Sequence, residues 1–323
     1  MVHAIRVHQA GGPEVLQWEE VHVGEPGQGQ ARVRQTAVGL NYIDVYHRTG
    51  LYPQVLPFIP GTEGAGIVEA VGSGVTQVKT GDRVAYAGPT GGYSETRLID
   101  ADRLVKLPDA ISDELAAAMM LQGMTARMLL RAVHRVEPGD TILVHAAAGG
   151  VGLIMCQWAK ALGATVIGTV STEEKAELAR AHGCDHPIIY TRQDFVAEVE
   201  RITDGRKLPL VYDSVGKDTF LKSLDCLHPR GLMVSYGNAS GPPDPMPPGL
   251  LAQKGSLFLT RPTLFHYVAA REELEQSASE LFDLVLAGRV RIEIGQRFPL
   301  SDAAEAHRQL EGRRTTGSTV LVV

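Results

Sequence analysis

The sequence has few cysteines and no long apolar run, and both absences limit what the protein can be. Its 323 residues include three cysteines, Cys156, Cys184 and Cys226, and their number is odd and their spacing wide. No CxxC pair or Cys/His cluster with zinc spacing occurs, so the three are interpreted as small buried apolar residues. No apolar stretch is long enough to cross a bilayer, and the N-terminus lacks a signal peptide's apolar core. We therefore expect a cytoplasmic protein that does not span a membrane.

Positive charge is also scarce relative to negative charge. Lysine and arginine together number 31 against 37 aspartates and glutamates, which gives a formal net charge of −6 at pH 7. This balance provides no basic surface of the kind that nucleic-acid-binding proteins present. The apolar fraction of 44% is ordinary for a globular protein, and the length predicts two domains. His47 and His145 have no sequence partner that indicates a metal site or a triad, and both are interpreted as structural.

The stretch from Thr141 to Gly163 has the order strand, glycine-rich turn and helix. Ile142–Val144 is an apolar run suited to a buried strand, and Gly163 is a candidate for the end of the helix. Between them the chain reads Ala147-x-Gly149-x-x-Gly152, a dinucleotide-binding pattern with alanine in the first glycine position. Glycines at a helix start allow a pyrophosphate to approach the exposed backbone N–H groups. The alternative is a tight strand-to-helix turn with no ligand.

The end of the next predicted strand favours NADPH over NADH. The run Ala164–Val170 follows the helix directly, and an acidic residue near its end would bind the ribose 2′-hydroxyl of NADH. Thr169, Val170 and Ser171 stand there instead, with Lys175 close by. A neutral strand end beside a lysine suits a 2′-phosphate, so we expect NADPH. The alternative for Lys175 is a solvated charge on a helix face.

The remaining periodicity divides the chain into a β-rich part and a part in which strands and helices alternate. Residues 1–100 contain short alternating runs separated by glycine and proline turns, which predicts a compact barrel-like domain. Residues 39–52 and 60–66 break that regularity. From Thr141 onward strands alternate with helices, which predicts a parallel sheet. The tail after about residue 265 resembles the first part, so the nucleotide domain is expected as an insertion into a discontinuous domain.

Helix signals are clearest on either side of the nucleotide domain. Ser112 is a predicted N-cap followed by good helix formers. Gly123–Thr125 is expected to interrupt that helix before a second one over 126–133. Arg271–Leu286 has apolar residues on one side, which predicts an amphipathic helix. The runs Arg291–Ile294 and Ser318–Val323 are expected to form strands of the discontinuous domain.

Several motifs resemble one family over essentially the whole chain. They are NYIDVYHRTGLY at 41–52, GTEGAGIVEAVGSGV at 61–75, QGMTA at 122–126, AAAGGVG at 146–152, YDSVG at 212–216, RGLMVSYGNASG at 230–241 and QKGSLFLTRP at 253–262. On these residues the chain resembles the zinc-independent, zeta-crystallin-like NADPH:quinone oxidoreductases of the medium-chain dehydrogenase/reductase superfamily. The resemblance implies an α/β fold with two domains. A GroES-like β-rich catalytic domain is expected over 1–123 and 265–323, and a Rossmann domain with a doubly wound parallel sheet, binding NADPH, over 124–264.

Two positions differ from those of zinc-dependent relatives in this superfamily. Those relatives have a metal-ligand cysteine where Asn41 stands and Gly-His-Glu where this chain has Gly61–Thr62–Glu63. Three cysteines at the present positions also cannot supply a structural zinc site of four. No metal is therefore expected, and without a Lewis acid the substrate must itself be a good acceptor of reducing equivalents. Quinones and activated enones have this property.

The resemblance also implies site residues. Asn41, Tyr46, Tyr52 and Thr125 are implied at the catalytic end, where Asn41 and Thr125 face the nicotinamide and the tyrosines line a quinone pocket. The residues implied for NADPH, besides Asn41 and Thr125, are Gly149, Gly150, Val151, Gly152, Ser171, Lys175, Tyr190, Ser214, Gly237, Asn238 and Arg313. Other interpretations stay open: Asn41 as a turn residue, the two tyrosines as packing between lobes, and Arg314 in place of Arg313.

The resulting hypothesis is an NADPH-dependent enzyme that reduces quinones, without zinc, in a cleft between two domains. An alkenal or enone double-bond reductase on the same scaffold is the alternative. A nucleotide-sensing or RNA-binding protein with vestigial catalysis is a third interpretation, which the acidic balance opposes. The resemblance implies a homodimer, in which the outer strand Gly255–Thr260, near Phe258, pairs with its copy. Relatives often have glycine at the position of Ser171, and some have a tyrosine where Met128 stands, so their substrate preference is not carried over to this chain.

Overall fold

The structure, a computed structural model, describes the whole chain, residues 1–323. Its strands are β1 (Val2–Val7), β2 (Leu16–Val21), β3 (Gln30–Leu40), β4 (Glu63–Val71), β5 (Arg83–Ala87), β6 (Thr96–Asp100), β7 (Val105–Lys106), β8 (Thr141–Val144), β9 (Thr165–Val170), β10 (His186–Ile189), β11 (Leu208–Asp213), β12 (Leu227–Ser235), β13 (Phe258–Thr260), β14 (Ile294–Pro299) and β15 (Ser318–Val322). Its α-helices are α1 (Tyr42–Thr49), α2 (Asp113–Ala117), α3 (Met120–Arg127), α4 (Gly150–Ala161), α5 (Glu173–Ala181), α6 (Phe195–Ile202), α7 (Phe220–Asp225), α8 (Gly249–Gln253), α9 (Leu264–Tyr267), α10 (Arg271–Leu286) and α11 (Ala303–Glu311). None of these helices has the length and apolarity that crossing a bilayer requires.

The chain divides into two compact units. The first consists of Met1–Met124, Val268–Leu286 and Ile292–Val323, and the second of Thr125–Tyr267 and Ala287–Arg291. The first unit is therefore discontinuous in sequence, with most of the second inserted into it. The functional division expected from the sequence, 1–123 with 265–323 against 124–264, stays a prediction.

The second unit is built on a six-stranded parallel sheet in the order β10-β9-β8-β11-β12-β13. Its central strands are apolar along their length, as strands of a parallel sheet covered on both faces are. Ile142, Leu143 and Val144 of β8 are all fully buried. The strand order reverses between β8 and β11, which is the switch point of a doubly wound Rossmann sheet. The predicted Rossmann fold is confirmed.

The first unit is β-rich, as predicted. A seven-stranded sheet has the order β14-β15-β3-β4-β5-β7, with β6 paired to β3, and β1 and β2 form a separate two-stranded sheet. All these pairs are antiparallel except β14–β15. One side of the long strand β3 contributes Ala31 and Val33 to a core that includes Val68, Val84 and Tyr86. Alternation along the first part of β3 therefore places its buried side chains on one face of the sheet.

Several helix predictions are confirmed and one is wrong. The Oγ of Ser112 accepts a hydrogen bond from the Leu115 N–H at 3.2 Å, as an N-cap does, and α10 has the predicted bounds. Gly123 does not interrupt a helix, since α3 runs through it and Met128–Val133 continues as a π-helix. A Cβ at Gly123 would overlap the side chain of Leu281 in α10. The glycine is therefore explained by close helix packing, with no break in the backbone.

One further prediction needs correction. The strand expected over Arg291–Ile294 begins only at Ile294 and continues to Pro299 as β14, paired with β15. Residues 39–52 interrupt the regular strand pattern as expected, since they contain the end of β3 and the whole of α1. The three cysteines are free and buried, as predicted.

Candidate active site

The helix α1 begins at one of the predicted site residues, and local signals explain both of its ends. Asn41 is extended, and its backbone N–H donates to Asp44 Oδ2 at 2.9 Å, which satisfies one donor at the helix start. Gly50 ends the helix in the left-handed conformation, with φ of 80°, where glycine carries no steric penalty. The carboxylate of Asp44 at the helix start also suits the helix dipole.

The side chain of Asn41 is held by two buried polar groups. Its Nδ2 donates to Glu63 Oε2 at 2.7 Å, and its Oδ1 accepts from Gln122 Nε2 at 3.1 Å. Glu63 is fully buried, and its other oxygen accepts from the Leu121 N–H at 2.7 Å. A Cβ at Gly39 would overlap the Glu63 carboxyl, so the glycine in β3 makes the room that this carboxyl occupies.

Two buried carboxyl groups at this site have unusual acidities. Burial raises the pKa of Glu63 to about 8, and hydrogen bonds from Asn41 and Leu121 offset only part of that effect. Burial likewise raises the pKa of Asp44 to about 7, against hydrogen bonds from Asn41, Tyr93 and Thr62. The two groups also repel each other when ionised. Carboxyls that titrate near neutral pH are a common property of catalytic centres.

The predicted tyrosines form an aromatic cluster on and after α1. The ring centroids of Tyr46 and Tyr52 are 5.1 Å apart with the rings edge to face, and Tyr42 lies 6.1 Å from Tyr46. The Tyr52 N–H donates to the Tyr46 carbonyl at 3.0 Å, which returns the chain beside the helix. His47, 6.2 Å from Tyr52, is neutral because burial lowers its pKa to about 4. The structure thus brings the rings of Tyr46 and Tyr52 into contact, a few residues after Asn41 in the sequence. Their role toward an acceptor stays a prediction.

The glycine-rich turn lies between β8 and α4, as the pattern requires. Gly149 is the N-cap of α4, and Gly150, Val151 and Gly152 form its first turn. A Cβ at Gly152 would overlap the carbonyl oxygen of Ala146, so the backbone passes closer to the helix start than any side chain permits. The exposed N–H groups at the beginning of a twelve-residue helix suit an anionic pyrophosphate.

The three residues predicted for the 2′-phosphate lie at the ends of neighbouring strands. Ser171 follows β9 and Tyr190 follows β10, and the Tyr190 N–H donates to the Val170 carbonyl at 3.1 Å. Lys175 is in the first turn of α5, where its N–H donates to the Thr172 Oγ at 3.3 Å. All three therefore reach the carboxyl edge of the parallel sheet, where dinucleotides bind in Rossmann folds.

Two turns at the ends of β11 and β12 pack directly on each other. A Cβ at Gly237 would overlap the carbonyl oxygen of Ser214, so the glycine allows the two backbones to meet. Asn238, with its amide oriented to suit its neighbours, donates to the Gly237 carbonyl at 2.8 Å and accepts from Arg261 at 3.1 Å. The predicted residues Ser214, Gly237 and Asn238 therefore form one surface at the same sheet edge as the glycine-rich turn.

Sequence reasoning missed the residues that hold these turns. Asp213 at the end of β11 accepts from the N–H groups of Val215 and Gly216 at 2.7 and 3.0 Å, and from Thr219 Oγ1 at 2.7 Å. Arg261 donates to the Gly237 carbonyl at 3.0 Å. A buried acidic residue at a strand end that precedes a glycine turn was the available signal for Asp213. Gln122 and Glu63 were also missed, because their partners are distant in sequence, and Asp44 was missed although its partner Asn41 is three residues away.

The remaining predicted residues lie elsewhere. Thr125 is in α3, at the start of the second unit. Arg313 belongs to the first unit and follows α11 with a positive φ of 57°. Their roles toward NADPH stay predictions.

The side chains present do not fit a metal site. No group of three or more His, Cys, Asp or Glu side chains is placed to hold a metal ion. At the two positions where zinc-dependent relatives have metal ligands, Asn41 and Thr62 offer an amide and a hydroxyl, and zinc in proteins is bound by thiolate, imidazole and carboxylate.

Comparison with known families gives two matches along the chain. Residues 27–109 match the alcohol dehydrogenase GroES-like domain, and residues 150–283 match the zinc-binding dehydrogenase family. A GroES-like domain joined to a Rossmann domain defines a medium-chain dehydrogenase/reductase.

Individual relatives narrow this class. A quinone oxidoreductase of Pseudomonas aeruginosa is 56% identical, with 100% of each chain covered. The crystal structure of Escherichia coli quinone oxidoreductase complexed with NADPH has a TM-score of 0.98 and 50% identity, covering 99% of this chain and 100% of that one. A 2-haloacrylate reductase of Burkholderia sp. is 51% identical, covering 100% of this chain and 99% of its own. The chain belongs to the quinone oxidoreductase family.

Proposed function

We propose that the protein is an NADPH-dependent oxidoreductase that reduces quinones without zinc. One observation supports this proposal most directly. The turn Gly149–Gly152 and the residues Ser171, Lys175 and Tyr190 all lie at the carboxyl edge of one parallel sheet. The first would hold the pyrophosphate and the others the 2′-phosphate of NADPH, with no acidic side chain at the end of β9 to oppose it. A similar protein of 50% identity is crystallised with NADPH, which supports the choice of coenzyme.

The acceptor site is assigned to the first unit. Asn41 would donate a hydrogen bond to the acceptor, and the rings of Tyr46 and Tyr52 would stack against it. Thr125, Asn238 and Arg313 complete the proposed contacts to the coenzyme. When bound, NADPH supplies two electrons and one proton to the reaction. One further proton comes from the medium, so that each quinone yields one hydroquinone.

A second candidate acceptor is favoured by one specific observation. A relative of 51% identity is a 2-haloacrylate reductase, which acts on an activated carbon–carbon double bond conjugated to a carboxylate. Reduction of an enone and of a quinone both place negative charge on a carbonyl oxygen. The same donor at Asn41 would therefore serve either acceptor.

A comparison of acceptors tests the proposal. NADPH oxidation is followed at saturating coenzyme with 1,4-benzoquinone, larger quinones, 2-alkenals and 2-haloacrylate. We expect kcat/KM to be highest for a quinone. A higher value for an alkenal or haloacrylate would assign the double-bond reaction in its place, and no oxidation with any acceptor would refute both.

We further propose a homodimer formed through the edge strand β13. β13 has one neighbour in the sheet, β12, and its Phe258 and Leu259 are 61% and 39% exposed. An apolar edge strand open to solvent is a pairing surface, and a two-fold axis would pair it with its copy. Phe258→Lys is expected to give monomers in light scattering. Leu221→Lys, which changes another exposed apolar residue, 50% exposed on α7, is expected to stay dimeric.

The cytoplasmic location is also proposed. The three cysteines are all free and buried, which is the usual state in a reducing compartment. Fractionation of cells that express the protein tests this, and recovery in an oxidising compartment would contradict it.

A further inference from the structure

The amide of Asn41 is fixed by a series of hydrogen bonds that runs through buried side chains. Ser318 Oγ lies 2.7 Å from Gln122 Oε1, and Gln122 Nε2 donates to Asn41 Oδ1 at 3.1 Å. Asn41 Nδ2 in turn donates to Glu63 Oε2 at 2.7 Å. Gln122 and Ser318 are 6% and 2% exposed, so water competes little for these bonds.

With Glu63 ionised, the donors and acceptors allow only one direction for this series. A carboxylate cannot donate, so Glu63 then requires the nitrogen of Asn41. Asn41 Oδ1 is left to accept from Gln122 Nε2, and Gln122 Oε1 faces the Ser318 hydroxyl, whose oxygen also lies 2.8 Å from the Ala118 carbonyl. Asn41 Oδ1 is therefore in use as an acceptor, while Nδ2 keeps a second hydrogen for which the chain provides no acceptor. Toward a ligand, Asn41 presents an N–H donor.

We propose that Gln122 is a positioning residue of the reductase: it holds the Asn41 amide so that Nδ2–H donates to the carbonyl oxygen of the acceptor. This rests on the proposed function, in which Asn41 faces the acceptor. Reduction places negative charge on that oxygen, and a donor already aimed at it stabilises the charge without reorganisation. The role is the same for quinones and enones, because both develop charge at a carbonyl oxygen.

Glu63 alone would not keep this orientation at every pH. Burial raises the pKa of Glu63 to about 8, and a neutral carboxyl could donate to Asn41 Oδ1 if the amide turned over. The titratable groups that face Glu63 are Asp44, Tyr86 and Tyr93. Burial raises the pKa of both tyrosines, so only the carboxyls change charge near neutral pH. While the Ser318 hydroxyl donates to Gln122 Oε1, Gln122 opposes the turned amide, since its Nε2 would then face a second nitrogen.

Substitution of Gln122 by methionine tests the assignment. Methionine keeps the length of the side chain but removes its donor and acceptor. We expect kcat/KM for 1,4-benzoquinone to fall about tenfold, the factor that corresponds to about 1.4 kcal/mol, with KM for NADPH unchanged. In an Asn41→Ala background, Gln122→Met is expected to have no further effect, because the group that it positions is gone.

The matched control is Gln35→Met. Gln35 is 2% exposed and donates to the carbonyls of Gly92 and Ser94 at 2.6 Å, but it does not contact Asn41. This variant is expected to lower Tm and leave kcat/KM for the quinone unchanged. It separates a general loss of stability in the first unit from a specific loss of orientation at Asn41.

The pH profile adds a measurement that a purely structural role would not change. In Gln122→Met, kcat/KM is expected to fall further below about pH 8, where Glu63 becomes neutral, while the wild type stays level there. Three results would each overturn the assignment. Gln122→Met could lower kcat/KM equally in the wild type and in the Asn41→Ala background, Gln35→Met could lower kcat/KM as much as Gln122→Met, or Asn41→Ala could leave kcat/KM unchanged. A wild type that reduces no quinone would contradict the proposed function itself, which distinguishes the two failures.

Discussion

The guanidinium of Arg48 donates a hydrogen bond to Nδ1 of His307 at 3.1 Å. Arginine has no acceptor, so Nδ1 must accept, and the imidazole carries its hydrogen on Nε2. That nitrogen lies 3.1 Å from the Tyr93 hydroxyl, which donates to Asp44 Oδ2 at 3.1 Å. Burial, with the nearby Arg48 charge, lowers the pKa of His307 to about 3, so the ring is neutral. The hydrogen bonds therefore all point from Arg48 toward the carboxyl at the start of α1.

The outer end of this series is an ion pair, and its loss should destabilise the protein. Arg48 is 1% exposed, and its two terminal nitrogens each donate to Glu311 at 2.8 Å. Glu311→Gln leaves a buried guanidinium without its counter-charge. We expect the free energy of unfolding to fall by about 2–3 kcal/mol, less than for a fully buried pair because Glu311 is 33% exposed. Urea denaturation measures this loss.

A control for that substitution lies on the same helix. Glu305 of α11 pairs with Arg308 at 3.2 Å, and their side chains are 46% and 52% exposed. Glu305→Gln is the same chemical change at a solvent-exposed pair, so we expect a loss within about 0.5 kcal/mol. Equal losses from the two variants would show that burial of Arg48 adds nothing to the strength of its pair.

The parts of the fold that the sequence predicts well are those specified by neighbouring residues. In the second unit, the apolar run of β8, the turn Gly149–Gly152 and the helix end at Gly163 all lie within one continuous stretch. Gly163, predicted as the C-cap, directly follows Leu162, the C-cap of α4, and adopts a φ of 87° that only glycine tolerates easily. Local signals of this kind determine the strand–turn–helix unit before any tertiary contact is known.

The surroundings of Asn41 could not be predicted in the same way. Its partners Glu63 and Gln122 are 22 and 81 residues away in the sequence, and Ser318 is 196 residues from Gln122. Pairing of β3 with β4 and β15 brings the strands of these residues together. No periodicity in the sequence relates residues on three separate elements, so the resemblance supplied Asn41 but not the groups that hold it.

Gly152 provides a test of the glycine-rich turn. In Gly152→Ala, the new Cβ would overlap the backbone of Ala146 and Ala147 and push α4 away from β8. We expect the dissociation constant for NADPH to rise by about tenfold or more, measured by coenzyme fluorescence. Gly249→Ala is the control, because a Cβ there meets nothing within 4 Å. Unchanged NADPH binding in Gly152→Ala would show that the close approach has no part in holding the coenzyme.

Lys175 provides a test of coenzyme preference. Lys175→Ala removes one positive charge from the carboxyl edge of the sheet, so it should weaken NADPH while leaving NADH, which lacks the 2′-phosphate, nearly unchanged. We expect KM for NADPH to rise about tenfold, the effect of one charged hydrogen bond. Lys222→Ala removes an exposed lysine of the same unit that pairs with Asp194, and it should change neither constant. Equal losses for both coenzymes would contradict the role of Lys175.

The buried carboxyls and histidines should give stability an unusual dependence on pH. The pKa values of Asp44 and Glu63 are raised to about 7 and about 8, from 3.8 and 4.5. For each carboxyl, at a pH between its unfolded and its folded pKa, the folded state holds a proton that the unfolded chain has released. Stability therefore falls as pH rises through that interval. His47 and His307 act oppositely, because burial lowers their pKa values from 6.5 to about 4 and about 3. Between these values the two histidines are protonated only in the unfolded chain, so stability falls as pH decreases below 6.5.

The effects of the carboxyls and the histidines on stability cancel between about pH 4.5 and 6.5. Above pH 6.5 only the carboxyls contribute, because the histidines are neutral in both the folded and the unfolded state. We therefore expect Tm to be nearly level from about pH 4.5 to 6.5, to fall from there to about pH 8, and to level off once both carboxyls are ionised in the folded state. The slope is up to about 1.4 kcal/mol per pH unit for each carboxyl. Glu63→Gln has no proton to release at this position, so it should lose the part of the fall between pH 7 and 8. A Tm that rises across this interval, or an unchanged slope in Glu63→Gln, would show that the Glu63 carboxyl is already ionised in the folded protein at neutral pH.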